Sequence, residues 1–204
     1  VDKIKPSAIA SRRVFVVEVI GVRCGYLALM SVLATGAERV YLHEEGMRLA
    51  DLSKDVDLLV SGFKEGKRLG VIIRSEGAND TYTTDFMCAL LEEEGGDYFT
   101  VRKAVLGHMQ QGGNPAPFDR IFATRLATKC ITFLEEQIGQ TEKESACIGL
   151  QSGSYKFSEF HDMMRLMDME NRRPRQQWWM QLRPTARTMA NGHKQPANTE
   201  ELLI

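Results

Sequence analysis

Apolar positions follow two rhythms along this chain. Short continuous runs rich in β-branched residues alternate with stretches where apolar residues recur every three or four positions. Val14–Val19 is the clearest run, and it suits a strand buried on both faces of a parallel sheet. A turn over Gly21–Gly25 precedes an apolar stretch from Tyr26 to Thr35, and Gly36 follows as a left-handed helix cap. Arg39–Leu42 predicts a short strand. Leu49, Leu52, Val56, Leu59, Val60 and Phe63 then repeat at helical spacing, and Leu69–Ile73 predicts another buried strand.

Thr83 or Thr84 caps a helix through Phe86, Met87, Leu90 and Leu91, which ends at Gly95-Gly96. Ala104–Leu106 predicts a short strand, followed by a Gly- and Pro-rich stretch from Gly107 to Pro117. Asp119 then lies in the first turn of a long helix, where its charge complements the helix dipole. Ile121, Phe122, Leu126, Phe133 and Leu134 are expected to face inward on it. Ala146–Leu150 predicts a strand and Phe157–Asp168 a Met-rich helix. The alternation predicts an α/β fold with a largely parallel sheet flanked by helices. Residues 1–168 form the expected α/β body and 169–204 a basic C-terminal strap, with a frayed tail after Ala190.

With 43% hydrophobic residues, the 204-residue chain has enough apolar material for a sizeable core and is not disordered throughout. Its net charge of -1 gives no general attraction to nucleic acid or acidic membranes. No run approaches the ~20 apolar residues of a membrane helix, and Val1–Pro6 has no apolar signal-peptide core. Cys24, Cys88, Cys130 and Cys147 are widely spaced without a Cys-x-x-Cys pair, as expected for reduced, partly buried thiols in a cytoplasmic protein. Charge becomes one-sided only near the C-terminus. From Asn171 to Thr199 there are six Lys and Arg residues and no acid, with Trp178 and Trp179 among them. One basic run is weak evidence for nucleic-acid binding, so it is expected to be a strap held on an acidic body by its tryptophans.

Two loops stand out for chemistry, each between a strand's carboxyl end and a helix start. They are Ile20-Gly21-Val22-Arg23-Cys24-Gly25 and Gly107-His108-Met109-Gln110-Gln111-Gly112-Gly113. Ligands collect at such edges in open parallel sheets, and free backbone N–H groups there favour phosphate. His108 can donate to a phosphate oxygen, and Gln110 and Gln111 suit sugar hydroxyls. Tight βα turns with no ligand are the plainer reading of the same spacing. Neither a Gly-x-Gly-x-x-Gly fingerprint nor a P-loop is present. His43 and His161 lack partners at zinc-ligand spacing, and no nucleophile elbow exists.

Three segments carry a resemblance to a known family. Arg13–Gly21, Tyr82-Thr83-Thr84-Asp85-Phe86 and Val105–Gly113 resemble the ATP-dependent 6-phosphofructokinases, more narrowly the C-terminal half of the eukaryotic enzyme. Arg173–Trp179 through Pro184 resembles the end of the animal form. The resemblance runs from about Ser11 to about Ala190 and implies the closing, C-terminal part of a longer chain, with the sheet incomplete on its N-terminal side. In that family the N-terminal half is catalytic, and the C-terminal half binds the activator fructose 2,6-bisphosphate.

The catalytic form of the first loop reads Met-Gly-Arg where this chain has Ile20-Gly21-Val22, and the second has Arg at the position of Gln111. The resemblance thus implies an effector site. Arg13 and Arg102 would clamp phosphate across a subunit contact. Ile20, Gly21 and Val22 would lie beside the sugar, Glu76 would take its hydroxyls, and His108, Met109, Gln110 and Gln111 would form the second loop. Arg172 would be a further, C-terminal arginine directed at the same phosphate. Val22 and Ile20 depart from the usual regulatory glycine and methionine.

No catalytic residue or metal ligand is expected here, so ATP and Mg2+ belong to the complete enzyme, and this portion alone is expected to be inactive. The implied partners are fructose 2,6-bisphosphate or fructose 6-phosphate, the remaining N-terminal half and further copies in a homo-oligomer, a tetramer. The alternatives are a productive fructose 6-phosphate-binding portion working with a partner chain, or a nonfunctional truncated product.

Overall fold

The computed structural model describes residues 1–142, 144–151 and 153–191, so the tail expected to fray after Ala190 lies almost wholly outside the described residues. By its contacts the chain divides into two units. One comprises Val1–Gln110 with the chain from Gln177 onward, and the other is Gln111–Gln176.

The first unit begins with α1 (Lys5–Ala10), then β1 (Arg13–Val19), α2 (Tyr26–Thr35), β2 (Arg39–Tyr41) and α3 (Leu49–Lys64). It continues with β3 (Leu69–Ser75), α4 (Thr84–Gly95) and β4 (Thr100–Val105). The four strands form one parallel sheet in the order β2-β3-β1-β4. The β1 valines serve both faces because side chains alternate along a strand. Val14 and Val16 join Leu52, Val56, Leu59, Phe63, Met87 and Leu91 from α3 and α4 on one face. Val17 and Val19 join Ala28, Leu29 and Val32 of α2 on the other. This is the parallel sheet flanked by helices that the apolar rhythm predicts.

Local signals match where they are strong. Gly36 closes α2 at φ 65°, its N–H donating to Val32 O at 2.7 Å. Thr83 caps α4, its hydroxyl accepting from Phe86 N–H. Three expectations need correction. β4 starts at Thr100 rather than Ala104, because an edge strand buries little and its Thr-Val-Arg-Lys opening looks polar. β3 continues through Arg74 and Ser75, which are polar yet buried. Leu49, expected inward, is exposed at the first turn of α3.

The second unit holds α5 (Pro117–Ile138), β5 (Ala146–Gln151), β6 (Ser154–Glu159), α6 (Phe160–Leu166), β7 (Met167–Asp168) and β8 (Arg173–Pro174). Asp119 accepts from Ala116 N–H at 2.9 Å, fixing the start of α5. Phe133 stacks on Phe157 at 4.6 Å and Phe122 tilts against Tyr155 at 5.8 Å, while Ile121 and Leu134, expected inward, are exposed. The predicted helix over 157–168 is instead half strand. β6 pairs antiparallel with β5, and Phe157 lies opposite Ile148. The division expected between 168 and 169 falls inside a tight hairpin in which Asp168 pairs with Arg173.

The chain returns to the first unit through a 3₁₀ turn at Trp178–Leu182 and α7 (Arg183–Asn191). Trp179 is buried in the cluster around Leu29 and Val32, and Tyr26 meets both tryptophans edge-on. Arg183 donates to Glu45 at 2.9 Å and to the Val40 carbonyl, and Arg187 lies 3.5 Å from Glu45. Over residues 177–191 the basic segment meets Glu45 and is fastened by Trp179, while Trp178 stays half-exposed.

Candidate functional site

The carboxyl ends of the strands carry the candidate residues. Glu76 N–H donates to Val19 O, and Leu106 N–H donates to Glu18 O, both at 3.0 Å, so the chain leaves β3, β1 and β4 side by side. The β1 exit folds into a tight turn in which Cys24 N–H donates to Gly21 O at 2.8 Å.

Glu76 organises that turn. Its Oε1 accepts from Gly21 N–H at 3.1 Å and from Val22 N–H at 2.6 Å. From β4, Gln110 Oε1 accepts from Ile20 N–H at 2.8 Å. An N–H must face the oxygen of an amide, so the Gln110 side-chain NH2 is left as the donor. Successive amides of the first loop thus hold one carboxylate and one carboxamide. Among the described residues Glu76 Oε2 has no hydrogen bond, and it is available to a hydroxyl.

Two glycines make the turn possible. A Cβ on Gly77 would lie 1.9 Å from the Val22 carbonyl oxygen, and one on Gly21 would lie 2.3 Å from Cys24 O. Val22 itself adopts φ 51°. That left-handed backbone is costly for a β-branched residue, on the order of 1–2 kcal/mol, and is held by the Glu76 and Gly77 contacts.

Behind the edge lies a buried polar network. Arg74 donates from Nη1 to Glu18 at 2.7 Å and to Thr84 at 3.1 Å, and from Nη2 to the Asn79 carbonyl at 2.6 Å. Asn79 Oδ1 accepts from Thr81 and Tyr82 N–H groups, both at 2.8 Å. The loop carrying Glu76 is therefore tied to the sheet interior. Cys88, on α4, has its thiol pushed up to about 11 by burial and stays protonated.

The structure brings together Ile20, Gly21, Val22, Glu76 and Gln110, with His108 and Met109 exposed in the adjoining 3₁₀ turn Gly107–Gln110. Of the implied arginines, neither Arg13 nor Arg102 lies at this edge. Arg13 opens β1 at its other end, about 20 Å away at the usual strand rise. Its Nε is buried without a hydrogen-bond partner among the described residues. Arg102 lies opposite Phe15, midway along edge strand β4. Gln111 and Arg172 belong to the second unit, where Arg172 adopts φ 53° at the β7–β8 turn.

A cleft of about 700 Å³ opens beside Glu76, lined by Val22, Arg23, His43, Glu76, Asn79 and Asp80 among others. Arg23 lies in the first glycine loop that the sequence marks, whereas His43 and Asp80 carry no signal but position, just after β2 and β3. Among the described residues no group of three or more His, Cys, Asp or Glu side chains gathers to hold a metal ion. No helix there is long and apolar enough to cross a membrane.

The Phosphofructokinase family model matches residues 1–134. The chain is 47% identical over 191 residues to an ATP-dependent 6-phosphofructokinase of Dictyostelium discoideum, an alignment covering 93% of this chain and 23% of that protein. It is 40% identical over 215 residues to ATP-dependent 6-phosphofructokinase 1 of Caenorhabditis elegans, covering 100% of this chain and 26% of the relative. Among solved structures, phosphofructokinase from Saccharomyces cerevisiae superposes with a TM-score of 0.87 at 33% identity, over 94% of this chain and 26% of that one. The chain thus spans about a quarter of the length of these relatives.

Proposed function

This chain belongs to the phosphofructokinase family, and from that premise we propose that it is the effector-binding portion of a longer glycolytic ATP-dependent 6-phosphofructokinase. Its ligand is fructose 2,6-bisphosphate, taken at the carboxyl edge of the β2-β3-β1-β4 sheet. The observation that carries this reading is the convergence of the Ile20–Val22 amides, Glu76 and Gln110 at that edge.

Glu76 Oε2 accepts a sugar hydroxyl while Oε1 stays fixed by two backbone amides, so the carboxylate is oriented before the ligand arrives. The Gln110 NH2 donates to a second hydroxyl. His108 donates to a phosphate oxygen. Arg13 and Arg102, away from the edge of their own subunit, serve the equivalent site of a neighbouring copy in a cytoplasmic homotetramer. Val22 and Gln111 are neutral where the catalytic pattern has phosphate-gripping arginines, which argues against aligning fructose 6-phosphate for phosphoryl transfer. ATP and Mg2+ are held by the remainder of the longer polypeptide, and chain 1–204 alone does not turn over.

Charge-assisted hydrogen bonds contribute about 1.5–3 kcal/mol each. Arg102→Ala and His108→Ala are each expected to weaken fructose 2,6-bisphosphate binding roughly ten- to a hundredfold, measured calorimetrically on the associated protein. Unchanged affinity in both variants would sink the reading.

A further inference from the structure

The order of strands sorts charge along the binding edge. From β4 to β2 the strand exits present His108 and Gln110, then the Ile20–Val22 amides, then Glu76, then His43. Neighbouring strands lie roughly 4.8 Å apart, so the two ends are separated by about 14 Å. Hydrogen-bonding groups suited to hydroxyls occupy the middle. At the far end lies the cleft beside Glu76, and Arg23 is the one permanently charged cation among the residues lining it.

Arg23 is also the only Arg or Lys in the exit segments 20–25, 76–80 and 107–110. It rides on a braced turn, with Gly21 O accepting from Cys24 N–H on one side and Gly77 in close backbone approach to Val22 on the other. The bracing fixes the backbone from which the Arg23 side chain projects. Two carboxylates share the cleft. Glu76 is bound by its amides, and Asp80 lies exposed. They oppose a free phosphate ion and suit the hydroxyls of a sugar, so an anion reaches Arg23 as part of a larger molecule.

We propose that Arg23 is the specificity-determining contact for the second phosphate of a bisphosphorylated sugar whose first phosphate lies toward His108. This rests on the sugar-phosphate reading of the edge, and it adds the residue that separates a bisphosphate from a monophosphate.

The test is calorimetric titration of the associated protein, as wild type, Arg23→Gln and Arg23→Lys, with fructose 2,6-bisphosphate, fructose 6-phosphate and inorganic phosphate. Arg23→Gln should weaken the bisphosphate about tenfold and the monophosphate less than twofold, consistent with one lost charged hydrogen bond. Arg23→Lys should fall between, and inorganic phosphate should bind far more weakly than either sugar. Equal losses for both sugars, or no loss, would overturn the role of Arg23 while leaving the edge as a sugar-phosphate site. An associated wild-type protein that binds neither sugar would overturn the underlying reading and this inference with it.

Discussion

Replacing Arg74 by methionine is expected to destabilise the chain by about 3–5 kcal/mol, the cost of stranding one partner of a buried ion pair. Arg74 is 2% exposed and sits mid-sheet in β3, where methionine fills much of its volume. The loss is therefore electrostatic. Glu18 would keep its carboxylate without the guanidinium 2.7 Å away, and the Asn79 carbonyl would lose a donor at 2.6 Å. Thr84 would retain only Glu18. Typical domain stability is about 5–15 kcal/mol, so the change removes a large fraction. Urea unfolding of wild type and variant measures it. A loss under about 1 kcal/mol would show that the network is far better solvated than its burial indicates.

Gly77→Ala is expected to abolish most ligand binding while leaving the sheet intact. A methyl group 1.9 Å from the Val22 carbonyl oxygen cannot be accommodated, and the obstacle is backbone rather than a flexible side chain. The first loop must move, and Val22 N–H and Gly21 N–H then release Glu76. Losing an oriented carboxylate and one further contact corresponds to about 2–4 kcal/mol, or roughly thirty- to a thousandfold in affinity. Circular dichroism should remain near wild type because β1 and β3 keep their pairing over seven residues each. Wild-type affinity in Gly77→Ala would mean that the loop conformation is irrelevant to binding.

What could be read from the sequence follows how local each signal is. The strands β1 and β3 announce themselves because both faces are covered, so nearly every position is apolar. Gly36 and Thr83 are legible because a cap is decided within one helical turn. β4 and β6 are harder, since an edge strand and a half-exposed hairpin carry polar residues that blur the alternation. The last helix was hidden by its Arg-Pro-Thr-Ala-Arg-Thr sequence, which buries Ala186 and little else. At the site, the two glycine loops are visible as loops. Their meeting with Glu76 is not, because it depends on β3 and β4 flanking β1, and no local pattern encodes strand order. His43 and Asp80 are obscure for the same reason. The separation of Arg13 from the first loop follows simply from its place at the start of a seven-residue extended strand.

Titration of the associated wild-type protein tests directly whether the carboxyl edge of this sheet recognises a phosphorylated sugar. Trp179 touches Tyr26 at 5.6 Å, at the first residue of the helix that follows the Ile20–Gly25 loop. Intrinsic tryptophan emission therefore reports on that loop without a label. Fructose 2,6-bisphosphate should produce a saturable change that unphosphorylated fructose at the same concentrations does not. No saturable change, or an equal response to unphosphorylated fructose, would contradict the account.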